Sequence, residues 1–277
     1  MPPRVVSVHT ENHAYQYLDA LRRKRETRHR HRQVFVEGVR PINQALAHGW
    51  PVEAFAYARG RRRSDWARDI LARSPARTHY EVAPALFDKL SGKAEPSELL
   101  AIVAMPDDDL ARIPPAADLL VVVCDRPASP GNLGTTLRSC DAFGAHGLIV
   151  AGHATDLYAP ETVAATTGSL FAVPAVRVAG PADLLPWLAA LRRALGPVAV
   201  VGGDERGARD LAEHDFTAPT VLVVGNETWG MSAAFRELCD AVVAIPIGGA
   251  ASSLNVACAA SILLYEVARQ RRARGAV

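Results

Sequence analysis

Five polar residues, Asn132, Arg138, Glu227, Ser253 and Asn255, are the ones whose types and spacing could do chemistry, because each follows closely on an apolar run. Asn132 and Arg138 come after "LLVVVCD" (119–125), Glu227 after "TVLVVG" (220–225), and Ser253 and Asn255 after "AVVAIPI" (241–247). An arginine fork can hold a phosphate, and carboxamides can hold a ribose or an amino-acid cofactor. Each residue also has a plain structural role open to it. Asn132 can cap a helix, Arg138 can join a surface ion pair, Glu227 can close a turn, and Ser253 and Asn255 can cap the last helix. Their common placement is what points to chemistry. Cys140, two residues beyond Arg138 on another side of the same helix, reads as a buried packing residue. Asp141 can orient Arg138 from the i+3 position or stay a solvated partner, and His146 and His153 read as loop residues.

Other chemistries find no support. No G-x-G-x-x-G follows a strand, no Walker A, H-E-x-x-H or EF-hand sequence occurs, and "TTGSLF" lacks the G-x-S-x-G elbow. Cys124, Cys140, Cys239 and Cys258 form no C-x-x-C pair, so neither a disulfide framework nor a metal site is expected. No secretory leader or membrane-spanning run is recognisable, and a soluble, cytoplasmic protein is the expectation.

The elements that must position the five residues follow from the apolar pattern. "LLVVVCD", "GLIV" at 147, "VAVVG" at 198, "TVLVVG" and "AVVAIPI" are near-continuous apolar runs of the kind buried on both faces of a parallel sheet. Helical patterns lie between them, notably at 182–195 and 255–272, which predicts an α/β unit with a mostly parallel sheet. Ligands bind such sheets beyond the carboxyl ends of the strands, where "DRPASPGNLG", "AGHATD", "GGDERG", "GNETWG" and "PIGGAASSLN" fall. Upstream, a helix from Ala14 through the basic run, a strand at "QVFVEG", a helix over 39–47 and further strands at 52–57, 79–82 and 99–105 describe a smaller α/β unit. The acid- and proline-rich stretch 106–118 reads as the linker between them.

The net charge of +2 conceals an asymmetry. Residues 1–63 hold 13 Lys and Arg against 5 Asp and Glu, whereas the remainder holds 18 against 24. "LRRKRETRHRHR" (21–32) and "RGRRR" (59–63) concentrate the excess and suggest a surface that faces a polyanion. The alternative is a solvated helix face in an arginine-biased sequence. With no C2H2 spacing and no RNP-like aromatic motif, the clusters indicate phosphate contact before sequence reading.

Three segments together resemble the signature motifs of the SpoU (TrmH) family of S-adenosylmethionine-dependent RNA ribose 2′-O-methyltransferases. They are "NLGTTLRSCDAFG" (132–144), "LVVGNETWGMS" (222–232) and "IPIGGAASSLNVACAASILLYE" (245–266). "RQVFVEGVRPINQAL" (32–46) and "LFDKLSGKAEPSELLAIVAM" (86–105) are similar to the small domain, related to ribosomal protein L30e, that many members use to hold RNA.

The resemblance implies residues 1–106 as an L30e-like RNA substrate-binding domain, 107–118 as a linker, and 119–277 as a methyltransferase domain with a deep trefoil knot. It implies Asn132, Arg138, Glu227, Ser253 and Asn255 as catalytic positions, Gly202, Gly225, Ile245 and Leu254 as cofactor-pocket positions, and no metal. The basic run would place Arg22, Arg23, Arg25, Arg28, Arg30 and Arg32 on RNA. S-adenosylmethionine would be the methyl donor, rRNA or tRNA the partner with a slight preference for rRNA, and a homodimer the assembly. The rival readings are a non-catalytic RNA-binding protein that keeps the knot and an RNA base methyltransferase. Two departures from the family's pattern stand out: Thr228 and Trp229 follow Glu227 where a smaller loop is common, and Ala257 stands where Ser is common.

Overall fold

Apolar strands alternating with helices build two α/β units in the computed structural model, which describes residues 3–275. One unit holds the residues up to Pro106 together with Tyr158–Ala172; the other holds Asp107–Leu157 and the chain from Val173 onward.

The first unit runs β1 (Arg4–Val8), α1 (His13–Arg23), α2 (Arg25–His31), β2 (Gln33–Glu37), α3 (Val39–Ala47), β3 (Val52–Ala58), α4 (Asp65–Arg73), β4 (Thr78–Val82), α5 (Pro84–Leu90) and β5 (Leu100–Ala104). Its sheet has the order β1-β4-β3-β5-β2, with β1, β4 and β3 parallel and β5 antiparallel to both its neighbours. Leu18 and Leu21 of α1 pack with Phe35, Ala56, Phe87 and Ile102 in its core.

The basic run does not prolong α1 as its periodicity predicts. Lys24 is extended (φ −111°, ψ 116°), and α2 starts afresh after it. The cause is Arg28, which is 3% exposed and donates its guanidinium to the carbonyls of Leu21 (2.9 Å) and Arg22 (2.8 Å). A buried cation therefore satisfies the carbonyls left open at the end of α1.

The second unit begins with β6 (Leu120–Asp125), α6 (Pro130–Ala142) and β7 (Gly147–Ala151). The chain then contributes α7 (Pro160–Ala165) and α8 (Ser169–Ala172) to the first unit, where α7 meets β2 and α8 meets α3. Trp50 donates its indole N–H to the Phe171 carbonyl (3.1 Å) and stacks edge-on against that ring. A continuous unit from 119 onward does not provide for this excursion. The second unit resumes with β8 (Ala175–Val178), α9 (Leu184–Leu195), β9 (Ala199–Gly203), β10 (Arg209–Asp210), β11 (Thr220–Val224), α10 (Ala233–Leu238), β12 (Ala241–Ala244) and α11 (Val256–Ala273). Within 107–118, Ile113 is buried in this unit's core and Asp108 pairs with Arg177 at 2.5 Å, so most of the stretch is structured.

The sheet order is β10-β12-β9-β11-β6-β7-β8, and every pair is parallel. One face carries Val121, Val123, Ile149, Val200, Val221 and Val223 into a core with Leu184, Leu188, Leu191 and Phe235. The alternate residues point to the other face, where α6 and α11 pack against each other. From β6 the order proceeds outward through β7 and β8, then switches to the opposite side for β9. The point of reversal lies between β6 and β11, which opens a crevice at their carboxyl ends.

The far end of α11 is fixed by a buried cation. Arg271, 4% exposed, donates to the carbonyls of Phe216 (3.1 Å), Asp118 (2.5 Å), Leu119 (3.1 Å) and Ala218 (2.9 Å), just before β6 and β11. Removing it by Arg271→Leu leaves several carbonyls short of donors and should cost about 3 kcal/mol. Urea unfolding measures this; an unchanged midpoint would show that the clamp contributes nothing.

Candidate functional site

Two loops meet at the point of reversal, one leaving β6 and one leaving β11. Ser129 caps α6, its Oγ accepting the Asn132 N–H (3.3 Å), and Pro130 occupies the first turn. Asn132 is therefore inside the helix and not its cap. Glu227 reaches across from the β11 loop. Its Oε2 accepts the Ala128 N–H (2.9 Å), and its Oε1 accepts the Ser129 N–H (3.0 Å) and the Asn132 Nδ2–H (3.1 Å). Asn132 Oδ1 in turn accepts Asn255 Nδ2–H (3.0 Å), and Asn255 Oδ1 caps α11 by accepting from Ala257 (2.9 Å) and Cys258 (3.3 Å). Glu227, Asn132 and Asn255 thus form one chain of hydrogen bonds from the start of α6 to the start of α11.

The carboxylate belongs there electrostatically. Burial would raise the Glu227 pKa, but the N–H groups of Ala128, Glu227 itself and Ser129, with Asn132, outweigh burial and hold it below its ordinary value. The N-terminal dipole of α6 acts in the same direction.

Glu227 also belongs to a tight turn. Asn226 and Gly230 exchange backbone hydrogen bonds (2.9 and 3.0 Å), and Asn226 Oδ1 accepts the N–H groups of Thr228 (2.9 Å) and Trp229 (3.1 Å). Gly225 is required beneath this turn, since a Cβ there would come within 2.3 Å of the Gly230 and Met231 backbone. Asp125 and Arg126 brace it from the β6 side. Asp125 is 2% exposed; it accepts from Arg126 Nε (2.8 Å) and from the Ser232 N–H (2.7 Å). Arg126 adopts the left-handed conformation (φ 52°), donates to the Gly230 carbonyl (3.3 Å) and accepts Asn226 Nδ2–H at its own carbonyl (2.7 Å). A non-glycine residue in that conformation is uncommon and is held by its surroundings.

The two loops border a cleft of about 780 Å³. Gly225, Ile245 and Leu254 line it together with Asn132, Glu227, Ser253 and Asn255, so seven of the nine catalytic and cofactor positions expected from the sequence share one cavity. Gly202 does not line it. Its missing side chain would point at Met231 (2.5 Å) and Cys239, on the core side, and the adjacent Gly203 is the lining residue. Alternation along β9 causes this one-residue shift.

Arg138 lies outside the cleft of its own chain, exposed on α6, and no described residue offers it a hydrogen bond or ion pair. The sequence reading missed Asp204 and Arg236, which pair at 2.5 Å within the cleft, and the Asp125–Arg126 brace. The charged pair directly after the first apolar run was the available signal for the brace.

Cys124 and Cys140 are buried thiols outside the cleft. Burial pushes Cys124 up to about 12, the charge of Glu227 adding to the effect, and burial raises Cys140 well above its ordinary value. His146 is structural: its Nδ1 accepts the Leu120 N–H (3.2 Å) beside Asp118. No group of three or more His, Cys, Asp or Glu side chains among the described residues could hold a metal ion.

In the first unit the six expected RNA-facing arginines divide. Arg28, on α2, is buried against the end of α1 and cannot face RNA. Arg22 donates to the Lys89 carbonyl (2.7 Å) and Arg32 to the Met105 carbonyl (3.2 Å), while Arg23 pairs with Asp19 (2.8 Å). Arg23, Arg25, Arg30 and Arg32 are exposed.

Comparison with known proteins agrees with this architecture. The SpoU rRNA Methylase family matches residues 119–265, and the SpoU L30e-like domain matches residues 12–101. A 23S rRNA (uridine(2479)-2′-O)-methyltransferase of Streptomyces viridochromogenes is 49% identical over 270 residues, covering 97% of this chain and 94% of that protein. The crystal structure of the SpoU methyltransferase AviRb from the same organism, in complex with AdoMet, aligns with a TM-score of 0.89 at 50% identity, over 94% of this chain and 98% of that one. An AdoMet-bound rRNA methyltransferase from Sinorhizobium meliloti aligns with a TM-score of 0.85 at 32% identity, over 97% of this chain and 98% of that one.

The parallel sheet, the cleft at its point of reversal and these neighbours define an α/β enzyme of the knotted methyltransferase class that uses S-adenosylmethionine. The chain belongs to the SpoU rRNA methylase family, with the smaller L30e-like unit preceding the catalytic one. No helix among the described residues is long and apolar enough to cross a membrane.

The lowered pKa makes a prediction about acid stability. Ionised Glu227 stabilises the fold fully above its unfolded pKa near ~4.3, and the contribution is lost as the pH falls through the lower folded value. The stability difference between the natural protein and Glu227→Gln should be largest at neutral pH and shrink in acid. Urea unfolding across that range measures it, and a difference independent of pH would contradict the assignment.

Proposed function

We propose that this chain transfers a methyl group from S-adenosylmethionine to a ribose 2′-hydroxyl of ribosomal RNA, with 23S rRNA as its substrate. The observation that carries the reading is the Glu227–Asn132–Asn255 chain at the border of the cleft, in a protein 49% identical to a 23S rRNA 2′-O-methyltransferase along nearly its whole length.

The cleft suits the donor. Val224, Ile245 and Leu254 give it apolar walls for a purine, while carboxylate, carboxamide and hydroxyl groups border it for a ribose and an amino-acid moiety. Its volume of about 780 Å³ is in the range of small-molecule sites. S-adenosylmethionine supplies a methyl group already activated on sulfonium sulfur, so no protein nucleophile is needed.

The chain's residues have to align the 2′-oxygen and ease the loss of its proton. Asn132 keeps one N–H and one carbonyl lone pair beyond its two network bonds, and these are the groups assigned to the ribose. Ser253 adds a hydroxyl from the loop before α11. Arg138 is the fork that holds a neighbouring phosphate and stabilises charge developing on the 2′-oxygen. A guanidinium remains protonated and has no acceptor, so the proton passes to water and not to Arg138.

Because Arg138 lies outside its own chain's cleft, the proposed assembly is a homodimer in which one protomer's Arg138 serves its partner's site. Ile262 and Tyr265, exposed on α11, supply apolar surface for such a contact. Arg23, Arg25, Arg30 and Arg32 are the proposed RNA contacts of the L30e-like unit, and the proposed location is the cytoplasm, where ribosomal RNA is reached.

The test incubates the protein with methyl-labelled S-adenosylmethionine and separated 23S, 16S and transfer RNAs, then maps the product by mass spectrometry. A nuclease-resistant 2′-O-methylated dinucleotide from 23S rRNA is expected; label on a base, or on protein alone, would overturn the proposal. Arg138→Lys should lower kcat by roughly 100-fold or more with cofactor affinity preserved. Mixing an Arg138→Ala protomer with a cleft-defective Asn132→Ala protomer should restore part of the activity, and failure to complement would argue against the shared site.

A further inference from the structure

Trp229 is 79% exposed, the highest value among the exposed large hydrophobic residues of the described chain. It also lines the cleft, as do two other members of that exposed set, Ile247 and Leu254. The turn that carries it is complete without the indole. Its backbone is closed by the Asn226–Gly230 pair, its tip amides are taken by Asn226 Oδ1, and Arg126 supports it from below through Gly230 and Asn226. No described residue accepts from the indole N–H or stacks on its ring. A large flat side chain is therefore presented to solvent on a rigid turn, two residues from the carboxylate that organises the site. Trp66 and Trp50, by contrast, have both found acceptors.

We infer that Trp229 is a stacking platform for a nucleobase of the RNA substrate, next to the ribose that receives the methyl group. A fixed turn loses little entropy when the ring is covered, and base stacking on an aromatic ring needs no particular base. The same cleft offers one cation to an adjoining backbone phosphate: Arg206, whose side chain is 81% exposed and lies 3.9 Å from Glu205, whereas Arg236 is held by Asp204. Ile247 and Leu254 remain to cover the methyl donor, so the rim divides between an RNA side at Trp229 and a cofactor side at the loop before α11. The inference rests on the RNA methyltransferase reading and adds to it a subsite that sets how the target nucleotide is seated.

The experiment compares Trp229→Ala and Trp229→Phe with the natural protein. It reads KM for in vitro transcribed 23S rRNA, Kd for S-adenosylhomocysteine, and oligomeric state by sedimentation. Trp229→Ala should raise the RNA KM roughly 5- to 100-fold with S-adenosylhomocysteine affinity and assembly unchanged, and Trp229→Phe should retain most of the affinity. An unchanged RNA KM in Trp229→Ala would overturn the inference while leaving the enzyme's function intact. A weakened cofactor Kd with unchanged RNA KM would make the ring a cofactor shield, and dissociation of the assembly would make it a contact between copies; either result overturns the inference. Natural protein that methylates no RNA would instead remove the reading on which it rests.

Discussion

A carboxylate taken partly out of water must recover its hydration from donors, and Glu227 recovers it from the start of α6. Everything at the working end of the sheet depends on this bond set. It fixes the β11 loop against the β6 loop at the place where strand order reverses, and through Asn132 it reaches the cap of α11. Three segments far apart in sequence are thereby held by one charge. Asn132 and Asn255 each accept through oxygen and donate through nitrogen, so turning over breaks two bonds at Asn132 and three at Asn255. Asp125 and Arg126 add a second brace to the same turn, with the Asp125 carboxylate buried and the Arg126 side chain partly exposed.

The last helix is held at both of its ends by different means. Asn255 secures its start to the site, and the Arg271 guanidinium secures its end to the carbonyls that precede β6 and β11. Between β12 and this anchored helix, residues 246–255 are exposed throughout. A loop with fixed endpoints and a solvated middle can adapt to a ligand without disturbing the sheet.

Much of this was legible in the sequence because burial leaves a strong pattern. The five apolar runs are all strands, and residues following four of them line one crevice, while those after Gly147–Ala151 do not. What escaped depends on direction and on long-range partners. Pattern cannot tell that Gly202 faces the core and Gly203 the cleft, because neither has a side chain to betray its face. Nor can it tell which arginine in a run of cations will turn inward. Arg28 does so because the carbonyls at the end of α1 need donors, and the continuous helix expected there breaks at Lys24 for the same reason. The short strand β8 and the two-residue β10 carry too few apolar positions to register as strands of this sheet.

The excursion of residues 158–172 has a consequence for synthesis. Phe171 covers Trp50, and Gly168 lies so close to Gln44 that a Cβ would come within 2.7 Å of its Cγ. The surface these residues complete belongs to β2 and α3, made long before them, while β6, α6 and β7 belong to the other unit. A nascent chain released from the ribosome only as far as Pro106 therefore holds an unfinished first unit, with apolar surface awaiting a segment some fifty residues away. The order of emergence and the order of completion differ: the first unit to appear cannot be sealed until the opening part of the second has been made.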